Sequence, residues 1–86
     1  MDRTQLISLG LDPQTLHRAE RLVQAGLLRE VRMAGETRAL ALVDSGWRTL
    51  EVELDWRPGR ELPAFRCSGC PTRALPCEHA AALLLY

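Results

Sequence analysis

Apolar residues recur at Leu16, Ala19, Leu22, Val23 and Leu27, close to the 3.6-residue period of a helix with one buried stripe. Asp12-Pro13 opens the stretch. Asp suits an N-cap, and Pro is at ease in the first helical position. Gly26 supplies the residue on which helices commonly stop. The opposite face carries Gln14, Arg18, Arg21 and Ala25, so the spacing predicts an amphipathic helix with Arg18 and Arg21 facing outwards. His17 lies on this helix with no thiol or second histidine near it in sequence, and it reads as an ordinary surface or boundary residue.

From Leu27 the period changes to that of strands broken by turns. Strands are expected over 28–33, 37–43, 47–54 and 61–67, with turns at Ala34-Gly35-Glu36, Asp44-Ser45-Gly46 and Arg57-Pro58-Gly59-Arg60. In the third strand Leu50, Val52 and Leu54 share one face, and Thr49, Glu51 and Glu53 share the other. That is the alternation of a half-buried antiparallel strand. Pro63 inside the fourth strand assigns it to a sheet edge, because proline has no amide to give to a ladder. The segment 77–86 is rich in Ala and Leu and reads as a second helix. The expected class is α+β: an N-terminal helix, an antiparallel meander of about four strands, and a C-terminal metal finger with a short helix. No repeat or low-complexity tract interrupts this order.

With 86 residues the chain has room for one domain, divided here as a helical lead-in over 1–26, a meander over 27–66 and the finger with its helix over 67–86. A domain this small buries a limited fraction of its surface, and such domains often need a metal, a disulfide set or a partner. Hydrophobic residues make up 47% and charged ones 26%, a balance that argues against disorder. The formal net charge is zero, so nucleic-acid binding finds support only in local clustering. No apolar run approaches the ~20 residues needed to span a bilayer, and residues 1–10 do not resemble a signal peptide. The expected compartment is the cytoplasm, where thiols stay reduced.

That compartment changes the reading of the cysteines. All three fall within the eleven residues from Cys67 to Cys77, and His79 follows, in the spacing C-x2-C-x6-C-x-H. An odd, tight cluster in a reducing compartment fits a metal better than disulfides. Zinc takes four soft or borderline donors in a tetrahedron, and three cysteines with one histidine form a closed set. Cys67 and Cys70 can approach one ion from a turn that Ser68 and Gly69 permit. Cys77 and His79 can fill the other corners from the start of a helix, whose amides and dipole favour a thiolate at Cys77. The expectation is Zn2+ held by Cys67, Cys70, Cys77 and His79. An iron–sulfur cluster can use the same donors. A redox pair of Cys67 and Cys70 is a further alternative, and it leaves Cys77 and His79 unexplained. A closed site has no position for a reactive water. No nucleophile–histidine–acid set, paired-carboxylate motif or phosphate loop stands elsewhere, so neither an enzyme nor a small-molecule substrate is expected.

At these residues the chain resembles the SWIM-type zinc finger. The family pattern is C-x-C, a variable gap, then C-x-H and a small, apolar helix. Pro76-Cys77-Glu78-His79 followed by Ala80-Ala81-Ala82-Leu83-Leu84-Leu85 is similar to its second half. The strand over 47–54 and the lead-in over 21–31 are similar to the segments that precede the finger in bacterial members. The likeness spans most of residues 16–86 and is most specific over 65–85. The first pair departs from it, being C-x2-C rather than C-x-C. The resemblance implies a non-catalytic module that binds DNA or proteins, often beside a helicase-like ATPase.

Two partners compete. DNA would be met by Arg57, Arg60, Arg66 and Arg73, expected around the metal, with Trp56 stacking on a base. A protein partner, a further domain or a second copy would instead cover the apolar end at Leu83, Leu84, Leu85 and Tyr86.

Overall fold

A computed structural model describes residues 1–71 and 75–86. The elements in chain order are α1 (Arg3–Ser8), α2 (Pro13–Gln24), β1 (Leu28–Met33), β2 (Arg38–Ser45), β3 (Arg48–Asp55), β4 (Ala64–Cys67) and α3 (Glu78–Leu85). The strands form one antiparallel sheet in the order β1-β2-β3-β4. The α+β class and the four-stranded meander are as expected, with β4 on the edge. One element, α1, was not anticipated. Its cap is local: the Asp2 carboxylate accepts from the Gln5 amide at 2.8 Å, and the Asp2 amide donates to the Gln5 side chain at 3.0 Å. This reciprocal pairing satisfies two donors that a helix start leaves free.

Both N-terminal helices stop on glycine. Gly10 at φ 102 and Gly26 at φ 69 let the next amide reach back, from Leu11 to the Leu6 carbonyl and from Leu27 to the Leu22 carbonyl. That is the geometry of a left-handed cap with a hydrophobic residue folded behind it. β2 runs further than the alternation suggested, to Ser45, which pairs with Arg48, and Gly46 and Trp47 form the turn where Asp44-Ser45-Gly46 was expected. β4 is shorter than expected because Pro63 precedes the first paired residue, Ala64 opposite Asp55.

Sheet alternation divides the side chains. Ala39, Ala41, Val43, Leu50, Val52 and Leu54 are buried on the inner face. α3 packs there with His79 through Leu84 all buried, and α2 covers it from the other side through Leu16 and Ala19. A helix apolar on every side belongs between two layers, and Ala80, Ala81 and Ala82 let both layers come close. Leu83 and Leu84 are therefore core residues. This corrects the expectation that Leu83 to Tyr86 form a free apolar surface: within that stretch only Tyr86 is exposed, and Leu85 is half-buried. The Met1 amino group donates to the Leu84 carbonyl at 2.7 Å, tying the first residue to the end of α3. Among the described residues no helix is long and apolar enough to cross a membrane.

Candidate metal centre

The four expected ligands come from three pieces of chain. Cys67 is the last residue of β4, opposite Val52 on the inner face. Cys70 follows in a tight turn closed by its amide on the Cys67 carbonyl at 3.4 Å. Cys77 is the N-cap of α3, and His79 stands in its first turn. Pairing with β3 continues past the strand end: the Ser68 amide donates to the Glu51 carbonyl at 3.0 Å, and the Glu51 amide donates to the Ser68 hydroxyl at 2.9 Å. Ser68 thus fastens the Cys67–Cys70 turn to the sheet. Gly69 has a separate reason. A Cβ there would stand 2.5 Å and 2.8 Å from the methyls of Leu50, which is itself buried.

The donor atoms converge. His79 Nδ1 lies 3.6 Å from the Cys67 sulfur, 3.4 Å from Cys70 and 3.9 Å from Cys77, and all four donors lie within 4.8 Å of one another. In a tetrahedral site with ordinary metal–sulfur and metal–nitrogen lengths, donors stand roughly 3.6 to 3.8 Å apart. The distances from His79 Nδ1 to the three sulfurs are close to that spacing, and the four side chains could coordinate one ion.

Their protonation without metal is uneven. Burial pushes the Cys67 thiol up, with the neighbouring Cys77 charge adding to it. Burial, then the Cys77 charge, pushes Cys70 up to about 12. Burial also acts to raise Cys77, but the contact with His79 and the amides of Ala80 and His79 outweigh it and bring the thiol down to about 6. Those amides face the sulfur without closing a capping hydrogen bond. His79 is raised by the same contact with Cys77, against the opposing effect of burial. Cys77 is thus shifted towards the thiolate and His79 towards the imidazolium.

Of the residues expected to meet DNA, the described ones lie on two different parts of the sheet edge. Trp56, Arg57 and Arg60 are exposed on the β3–β4 connection, at the Ala64 end of β4, three residues or ~10 Å of strand from Cys67. Arg57 pairs with Asp55 at 3.3 Å. Arg66 neighbours Cys67 in sequence, but strand alternation sends it to the opposite face of the sheet, across from Glu53. Arg73 lies outside the described residues. His17 is exposed, as expected. Two features escaped the sequence reading. The Ser68 clamp depends on which strand lies beside it, and that pairing is not written locally. Trp47 is 91% exposed at the β2–β3 turn, with the Arg48 guanidinium 5.5 Å from its ring centre; its place after Gly46 in a turn was a signal available in the sequence. No family model, curated protein or solved structure matches the chain.

Proposed function

We propose that this chain is a zinc-stabilised, non-catalytic binding module of the SWIM-finger kind. The convergence of three cysteine sulfurs on His79 Nδ1 at 3.4 to 3.9 Å carries the reading. Three thiolates and an imidazole are the donors zinc prefers, and four protein donors fill its tetrahedron with no position left for water. The metal joins the sheet edge to the start of α3. Its role is to hold β4 and α3 together in a domain whose own core is small.

DNA is the partner that the finger resemblance suggests. Trp56, Arg57 and Arg60 support it as a group on one exposed loop. The pair of Arg57 with Asp55 is solvent-exposed and worth only ~0–1 kcal/mol, so a phosphate can displace the carboxylate at little cost. A protein partner is the second reading. It is favoured by β2, whose Leu40 and Leu42 lie on the sheet face turned away from the helices.

Elemental analysis of purified protein tests the metal, with one zinc per chain expected. Iron, or a visible charge-transfer band, would overturn it. Fluorescence anisotropy with labelled single- and double-stranded DNA, across a salt series, tests the partner. Binding through the loop should weaken steeply with salt, and loss of one phosphate-contacting Arg should lower the salt slope by about one. No binding at low salt, or unchanged affinity in the Arg57→Ala/Arg60→Ala double variant, would reject DNA as the partner met by this loop.

A further inference from the structure

The middle of β2 is apolar on both faces. Ala39, Ala41 and Val43 enter the core, while Leu40 and Leu42 point the other way and are half-buried among their neighbours on the sheet. A strand apolar on both sides is the pattern of a sheet covered on both sides. Every helix that packs on this sheet lies on its inner face. On the outer face Leu40 and Leu42 form the floor of an open groove of about 340 Å³, rimmed by Glu30, Arg32, Glu51, Glu53 and Arg66.

The rim indicates what covers it. Part of the charge on this face is matched within the chain: Arg29 pairs with Asp44, and the groove's own Glu53 pairs with Arg38. Among the described residues Glu30, Arg32, Glu51 and Arg66 have no such partner within 4 Å. They are two acids and two bases around an apolar floor. A nucleic acid would meet the two carboxylates unfavourably. A twofold copy of the same surface can instead set each cation against a carboxylate, as a self-complementary interface requires. A net charge of zero adds no long-range repulsion between copies.

We infer that the outer face of the sheet is a self-association surface, with Leu40 and Leu42 of two copies stacked across a twofold axis inside a ring of exchanged Glu–Arg pairs. The inference is independent of the identity of the metal and of DNA binding. Its strength is bounded by size. The four strands offer roughly 400 Å² of projected face, below the ~800 Å² per partner of a standard stable interface. The dimer is therefore weak, with Kd on the order of 10 to 500 μM.

The test is sedimentation equilibrium of the metal-loaded protein from about 5 μM to 1 mM, with metal content measured in parallel. A monomer–dimer equilibrium is expected for the wild type. Leu42→Thr should weaken it at least about tenfold, and Leu42→Arg should leave a monomer over the whole range. Leu42 lies half-buried on the outer face, outside the core, so circular dichroism and metal content should match the wild type. If Leu42→Arg fails to fold, Leu42→Thr alone decides. Amide shifts in a dilution series should move at Arg32, Leu40, Leu42, Glu51 and Arg66. A wild-type monomer at about 1 mM overturns the proposal and leaves the face to another partner. So does a dimer whose Kd Leu42→Thr leaves unchanged, or one whose shifts map to α2 or Tyr86.

Discussion

At Gly69 the requirement is steric rather than conformational. The Cys67–Cys70 turn sits on Leu50, and a methyl at position 69 would overlap its side chain. Gly69→Ala forces Leu50 out of a packed rotamer, at a cost of about 1–3 kcal/mol by analogy with other overpacked sites. Chemical denaturation should show that loss, with metal affinity falling as the turn shifts. The ligands themselves matter more. Cys77→Ser or His79→Ala should abolish tight metal binding. Structural zinc contributes roughly 10 kcal/mol or more in small fingers, comparable to the whole stability of a small domain. The expected outcome is loss of the cooperative melt and of helical signal from the C-terminal half, while His17→Ala stays near wild type. A Cys77→Ser variant with native circular dichroism and melting temperature would show that the site is not structural.

At the scale of the element, β1 shows where a strand departs from its own pattern. Between Arg29 and Arg32 the register with β2 slips by one residue, and Glu30 takes φ 52. This β-bulge returns Val31 to the core side, where it packs against the buried cluster. Strict alternation would have sent Val31 outwards, so core packing decided the register. A non-glycine residue in the left-handed region costs ~1 kcal/mol or more. Glu30→Gly should therefore stabilise the fold by about 0.5–1 kcal/mol, seen as a higher melting temperature. A lower one would mean that the glutamate makes an interaction exceeding its backbone cost. α3 is the complementary case. Its sequence has almost no polar face, and only packing between the sheet and α2 explains why it needs none.

For the whole molecule, the proposed metal makes the fold depend on pH. Binding requires three thiolates and a neutral imidazole. Near neutral pH the metal-free chain keeps protons on Cys67 and Cys70, whose thiols are raised, and favours a proton on His79, also raised. Loading the metal releases them, so affinity must rise with pH and fall on acidification. The expected slope is roughly two to three decades of affinity per pH unit near neutrality. It steepens below about 6, where Cys77 also takes a proton. Competition with a chromophoric chelator between pH 6 and 8 measures it. A slope near zero would mean that the cluster is not the metal site.

Much of this architecture was legible along the chain because its determinants are local. Asp12-Pro13 and Gly26 bracket α2, glycine-bearing turns separate the strands, and the alternation of Leu50, Val52 and Leu54 names the buried face of β3. The spacing of Cys67, Cys70, Cys77 and His79 predicted the cluster that the fold brings together, because few other arrangements of so many soft donors in thirteen residues make chemical sense. What depends on residues far apart had to wait for the tertiary structure. Strand pairing placed Ser68 against Glu51 and sent Arg66 to the face opposite Cys67. It also carried Arg57 and Arg60 to the end of β4 away from Cys67. Burial of Leu83 and Leu84 and the outward orientation of Leu40 and Leu42 were decided in the same way. An apolar residue is driven out of water without being told against what, and only the packing of layers decides which faces are covered within the chain and which remain for a partner.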